Sequence, residues 1–131
     1  MEYRFDKHYS LDEARALLPE IRKWLEQASR LRRELEKFDE RLSSLMGVGA
    51  DLGGKMVNDW ARKIAEFKGV LLEFHRREIQ IKDLDRGLID FPAVMGGREV
   101  FLCWEQDEED IEFWHDLDAG YAGREKLSGS E

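Results

Sequence analysis

Apolar residues recur at positions 11, 14, 18, 21, 25, 28, 31, 35, 38, 42 and 45. The steps alternate between three and four residues, with one extra step of three between Ala28 and Leu31. Such a seam keeps one stripe of a helix apolar over many turns, so the chain must bury that stripe against another element. Leu17 and Trp24 widen the stripe near its start. "SLDE" at 10–13 has the form of a capping box, with Ser10 as the cap and Glu13 reaching back. Pro19 lies inside the pattern, so it is expected to kink the helix or to mark its true beginning. Arg22, Glu26, Arg30 and Glu34 form an i,i+4 ladder of alternating charge, expected on the solvent side.

Four glycines in "MGVGADLGGK" at 46–55 end this helix. A second seam follows at Val57, Trp60, Ile64, Phe67, Leu71, Phe74, Glu78 and Ile81. Two facing seams joined by a short break predict a long antiparallel helical hairpin over about residues 11–83, with arms of roughly 40–50 Å. Glu78 falls on the second seam, where a carboxylate must find a partner or reach water. A hairpin this long on 131 residues leaves apolar edges, so a homodimer or another protein partner is expected.

After residue 83 the period changes to two. "LIDFPAVMGGREVFLCWE" reads as a β-hairpin turned at Gly96-Gly97. That turn sets Ile89 opposite Trp104, Phe91 opposite Leu102 and Ala93 opposite Val100, all apolar and on one face. The other face then sets Asp90 opposite Cys103. Pro92 marks an edge or a bulge. "IEFWHDL" from Ile111 predicts a third strand, and "YRF" at 3–5 a fourth. The expected class is α+β: a helical hairpin followed by a small antiparallel β-meander over about 87–118. Residues 1–124 form a single domain, and 125–131 a polar tail.

The net charge of −8 is carried entirely by residues 105–131, which hold ten acids and two bases. The remaining residues balance, so no net-basic surface is expected and nucleic-acid binding is disfavoured. The apolar runs are short, which excludes a membrane-spanning helix. "MEYRFDKHYS" has no apolar signal core, and the lone Cys103 suits a reducing compartment, so a cytoplasmic location is expected.

"GADLGGKM" at 49–56 resembles a phosphate-binding loop but carries Met56 where Ser or Thr would hold magnesium, and it follows a helix instead of a strand. "GVGADL" places Leu52 at the third glycine of a dinucleotide fingerprint. His75 and Glu78 share a helical face, a single reversed copy of a di-metal motif.

The β region offers more chemistry. With a four-residue loop at 106–109, Ile111 lies opposite Trp104, and Glu112 joins Asp90 and Cys103 in a row, with Trp114 and Asp116 on the same face. His115 then faces the core beside Val100. The opposite register sets it beside Phe101, near Cys103, and the sequence leaves both open. Asp90, Cys103, His115 and Asp116 are the candidate ligands of a divalent metal. Arg124 is the candidate partner of Asp116 or Asp118, or a clamp on an anion. Trp104 and Trp114 are candidate ligand or packing contacts. Cys103 as a redox-sensing thiol would need a cationic neighbour.

"SLDEARALLPEI", "KDLDRGLIDFPA", "GREVFLCW" and "FWHDLDAGYAGR" together resemble the bacterial and archaeal family catalogued as domain of unknown function 2203, from about Tyr9 to Arg124. Its signature falls on Gly87, Asp90, Phe91, Pro92, Cys103, Trp104, Trp114, His115, Gly120 and Arg124. The resemblance implies no particular reaction. It does place the signature in the β region and leaves the glycine loop outside it. Two functional expectations follow: a non-catalytic assembly module whose β signature is a structural lock, or a metal-binding protein or small metal-dependent enzyme with its site on the meander.

Overall fold

A computed structural model describes residues 2–47 and 54–127. The glycine loop, with its phosphate-loop and dinucleotide near-matches, lies mostly outside the described residues. Helix α1 runs Leu11–Gly47 and α2 Gly54–Arg76. Five strands follow: β1 Gln80–Asp83, β2 Leu88–Met95, β3 Arg98–Glu105, β4 Phe113–Asp116 and β5 Glu125–Lys126. They pair antiparallel in chain order as one meander, and the two helices pack together. The class is the expected α+β. Among the described residues no helix is long and apolar enough to cross a membrane.

The capping box forms as expected. The Ser10 backbone N–H donates to Glu13 at 2.9 Å, and the Glu13 N–H donates to the Ser10 hydroxyl at 3.1 Å. α1 starts there and continues through Pro19, so the proline does not mark the beginning. Ala14, Leu18, Ile21, Leu25, Ala28 and Leu31 are all buried, which confirms the first half of the seam. Leu35, Phe38, Leu42 and Leu45 are only half-buried. The sheet covers the near half of the hairpin, and among the described residues the far half packs against the other helix.

α2 ends at Arg76, seven residues before the expected limit. The Ile79 N–H donates to the Phe74 carbonyl and the Glu78 N–H to that of His75, both at 3.1 Å, with Glu78 at φ +58°. This is a Schellman stop built on a glutamate where glycine is usual. The left-handed strain is offset because the Glu78 carboxylate accepts the N–H groups of Asp6 and Lys7, at 2.9 and 2.7 Å. Phe74 and Ile79 pack in the same core cluster. Glu78 therefore leaves the seam, its pairing with His75 dissolves, and Ile81 belongs to β1. The continuing 3,4 spacing beyond residue 76 was a coincidence that no glycine exposed.

The β2–β3 register is the expected one, with Ile89 opposite Trp104, Asp90 opposite Cys103 and Phe91 opposite Leu102. Gly96 and Gly97 take φ +59° and +76°, the left-handed pair that a two-residue hairpin turn requires. The third meander strand is shifted. Phe101 pairs with His115, Leu102 with Trp114 and Cys103 with Phe113. The loop spans 106–112 instead of 106–109, so Glu112 does not join Asp90 and Cys103. "YRF" forms no strand, since Arg4 and Phe5 give their N–H groups to the Glu99 side chain. The polar segment is paired at its start: β5 pairs with Phe113 and Trp114, and the Leu127 N–H reaches the Glu112 carbonyl.

One face of the sheet, carrying Ile89, Phe91, Ala93, Val100, Leu102 and Trp104, packs with the buried stripe of α1 and with Phe74. Arg22 leaves the expected solvent ladder. It donates to the carbonyls of Gln106 and Glu108 and lies 4.8 Å from the Trp104 ring. Leu25 is fully buried in this core, so Leu25→Ala should cost about 2–5 kcal/mol in urea unfolding. Leu72→Ala, at a position 42% exposed, should stay within about 0.5 kcal/mol of the parent.

Candidate functional site

The second sheet face turns away from the helices, yet Asp90, Phe101, Cys103 and His115 on it are all at most 2% exposed. The chain ends provide the cover. Phe5 packs on Phe101 with ring centroids 5.5 Å apart, and Phe101 meets His115 at the same distance. On the other side lies the segment from Ala119 to Arg124, with a single 3₁₀ turn at Tyr121–Gly123. Gly87, where the chain enters β2, has φ +65°, and a Cβ there would stand 2.5 Å from the Gln106 side chain. Glycine is thus required twice over at this signature position.

Asp90, Cys103 and His115 converge. One donor atom from each lies within 4.8 Å of the other two. His115 Nε2 is 3.0 Å from Asp90 Oδ2, and Nδ1 is 2.8 Å from the Asp116 carbonyl oxygen. A carbonyl only accepts, so Nδ1 carries its hydrogen and Nε2 faces the carboxylate. A hydrogen bond between Nε2 and Oδ2 requires a proton on one of the two atoms. The second carboxylate oxygen, Asp90 Oδ1, is buried without a hydrogen-bond partner. A cavity of about 170 Å³ opens on this group, with Lys82, Leu88, Ala119, Gly120 and Tyr121 completing its wall.

Burial raises the Asp90 pKa, and the neighbouring His115 only partly opposes the rise. Burial and the adjacent Asp90 push the Cys103 thiol up to about 12, although the Arg124 guanidinium pulls the other way. Arg124 Nη1 lies 3.6 Å from Cys103 Sγ. The cationic neighbour that a redox thiol needs is therefore present, yet its charge goes mainly to Glu108, 2.6 Å from Nη2. Phe113 and Tyr121 stack on the guanidinium, with centroids 3.8 and 4.4 Å away. The burial of Arg124 lowers its pKa, but the Glu108 and Cys103 contacts outweigh this and raise it.

Of the four candidate ligands, the fold thus assembles Asp90, Cys103 and His115. Asp116 is exposed and offers its carbonyl to His115, while its carboxylate lies 3.3 Å from Arg98. Arg124 pairs with Glu108 and not with Asp116 or Asp118, and Asp118 meets Arg4 instead. Trp104 is buried on the helix side, its indole N–H donating to the Glu108 carbonyl at 3.0 Å. Trp114 is half-buried on that same side, with Arg98 over its ring. Sequence reasoning missed Glu108 and Lys82. Glu108 is one acid in the run "QDEED" and nothing marks it. The β1–β2 register jumps from Ile81↔Ile89 to Asp83↔Leu88, leaving Lys82 as the extra residue of a bulge, a feature invisible in a four-residue strand.

The family model described as "Uncharacterized conserved protein (DUF2203)" matches residues 7–127. No curated protein and no solved structure matches the chain.

Two expectations follow from the burial of these groups. Iodoacetamide should leave Cys103 nearly untouched in the folded protein at pH 9, since a thiol with a pKa of about 12 has about a thousandfold less thiolate than an ordinary one near that pH. Mass spectrometry of the native and urea-unfolded protein reads the difference. Asp90 has a raised folded-state pKa, so its contribution to stability is present below the ordinary carboxylate range and is lost as pH rises through that folded value. Asp90→Asn does not titrate and can still donate to Nε2. Its stability relative to the parent, from urea unfolding at about pH 4 and 8, should therefore improve at the higher pH.

Proposed function

The chain belongs to this uncharacterised conserved family, and within it we propose that the protein binds a divalent metal ion through Asp90, Cys103 and His115. The supporting observation is the unpartnered, buried Asp90 Oδ1, beside a thiol and an imidazole, at the wall of a cavity. An orphaned carboxylate oxygen is costly to bury unless something else satisfies it.

The donor set suits zinc or a similar borderline ion, which accepts sulfur, nitrogen and oxygen together. The bond from His115 Nδ1 to a backbone carbonyl is the outer contact that fixes a ligating imidazole with Nε2 free for metal. Zinc bonds of about 2.0–2.3 Å set tetrahedral donors roughly 3–4 Å apart. The present spread of at most 4.8 Å needs only a small contraction. Three protein ligands leave a fourth position toward the cavity, as a metal acting on a small molecule requires. Arg124 beside Cys103 Sγ would steady the thiolate. The unpaired cysteine suits a cytoplasmic setting.

Elemental analysis of untagged protein purified without chelators tests this reading. Near-stoichiometric zinc, or uptake of added zinc or cobalt, is expected, with loss in Asp90→Asn, Cys103→Ser and His115→Ala. Binding displaces the thiol proton, so apparent affinity should rise at least about tenfold per pH unit near neutrality. No uptake by folded protein would leave the dyad as a buried structural lock.

A second reading concerns assembly. An apolar groove lined by Phe67, Leu71, Phe74, Ile79, Ile81 and Leu84 runs between α2 and the sheet edge. Val57 and Leu72 add exposed apolar surface on α2. These features support a homodimer that covers the hairpin. Light scattering at micromolar concentration should then give twice the chain mass of 15.4 kDa, and a monomer would overturn it.

A further inference from the structure

We infer that the cavity beside Asp90, Cys103 and His115 receives a small monocarboxylate, with Lys82 as its counter-charge and its hydrocarbon stem against Leu88, Ala119 and Tyr121. The inference rests on the metal reading above and names the ligand of that same site.

The argument starts from charge. A divalent ion held by the Asp90 carboxylate, the Cys103 thiolate and a neutral His115 is compensated in full. Nearby Arg86 is paired with Glu105, its Nη2 2.7 Å from Oε1, and Arg124 is paired with Glu108 at 2.6 Å. Lys82 is the cavity-lining cation left without a carboxylate partner among the described residues. Its ammonium lies 4.9 Å from the centroid of Phe101, the ring that packs on His115. The loaded cavity therefore keeps one positive charge, which a monoanion neutralises.

Position supports the same assignment. Lys82 is the extra residue of the β1 bulge. Ile81 pairs with core-facing Ile89 and Gln80 with Asp90, so strand alternation sets Lys82 over the sheet face that carries the three donors. The rest of the wall distinguishes a carboxylate from a phosphate. Leu88, Ala119 and Tyr121 offer apolar surface to a stem, and about 170 Å³ admits only a short one. Inorganic phosphate brings more negative charge at neutral pH than Lys82 can match and has no stem.

Cobalt provides the readout, because its visible absorption responds to a new ligand in the coordination sphere. Cobalt-loaded protein is titrated with acetate, propionate, butyrate and inorganic phosphate. The expected result is a spectral change with the carboxylates, tightening about fourfold per added methylene until the cavity is full. Lys82→Met should weaken carboxylate binding about tenfold or more, with cobalt affinity unchanged, and Lys82→Arg should restore part of it. Lys82 is exposed, so these variants keep the fold. Cobalt uptake without a carboxylate response, a response to phosphate alone, or carboxylate binding indifferent to Lys82→Met would overturn the inference and leave the metal reading standing. No cobalt uptake by folded protein would overturn both.

Discussion

The register of β2 against β3 is the constraint on which the rest of this structure depends. Gly96 and Gly97 allow a two-residue turn, and that turn fixes every pair from Leu88↔Glu105 to Met95↔Arg98. Strand side chains alternate, so one register decides two surfaces at once. Ile89, Phe91, Ala93, Val100, Leu102 and Trp104 go to the helices. Asp90 and Cys103 go to the opposite side as a directly facing pair. A slip of one residue would send the carboxylate and thiol into the helix interface and strip the core of its largest side chains.

The far face of the sheet would ordinarily be wet, as in many antiparallel sheets with one covered side. Here both ends of the chain return to it. Glu99 gathers the N–H groups of Arg4 and Phe5 and meets His8 at 2.7 Å. Glu78 gathers those of Asp6 and Lys7, and the Tyr9 N–H reaches the Pro92 carbonyl. At the other end β5 and the stacked Arg124 close the sheet edge. A chemically mixed trio is thus buried among Phe101, Leu88, Ala119 and Tyr121. Its pKa directions follow from that burial: the carboxyl and thiol both rise, opposed at Asp90 by His115, Cys103 and Lys82 and at Cys103 by Arg124. A bound metal ion would reverse this balance by favouring the deprotonated forms of both groups.

Much of the architecture was legible. The capping box, the first half of the α1 seam, the hairpin turn and the Asp90–Cys103 pairing all follow from local pattern and hold in the structure. The errors share one cause, which is that local pattern also continues where tertiary contacts interrupt it. The α2 seam runs on through Glu78 and Ile81, but backbone N–H groups from the distant N-terminus stabilise a left-handed Glu78 that stops the helix. The alternation of "IEFWHDL" fits either face, so the sequence could not choose where His115 points. The loop decided it: Glu108 is held by the Glu105 and Arg124 N–H groups, which lengthens the connection and shifts β4 by one residue.

What the sequence determined by itself was the pair of helices, the antiparallel strands that follow them and the β2–β3 register. These rest on residues near one another in the chain, where periodicity and turn geometry act directly. Only the tertiary structure decided that His115 joins Asp90 and Cys103, that Arg124 belongs to Glu108, and that Lys82 overlooks the cavity. Each of these depends on contacts between segments far apart in sequence, on a bulge, or on a loop whose length is set by hydrogen bonds. Such contacts leave no periodic trace, because a single well-placed donor or acceptor is enough to fix them.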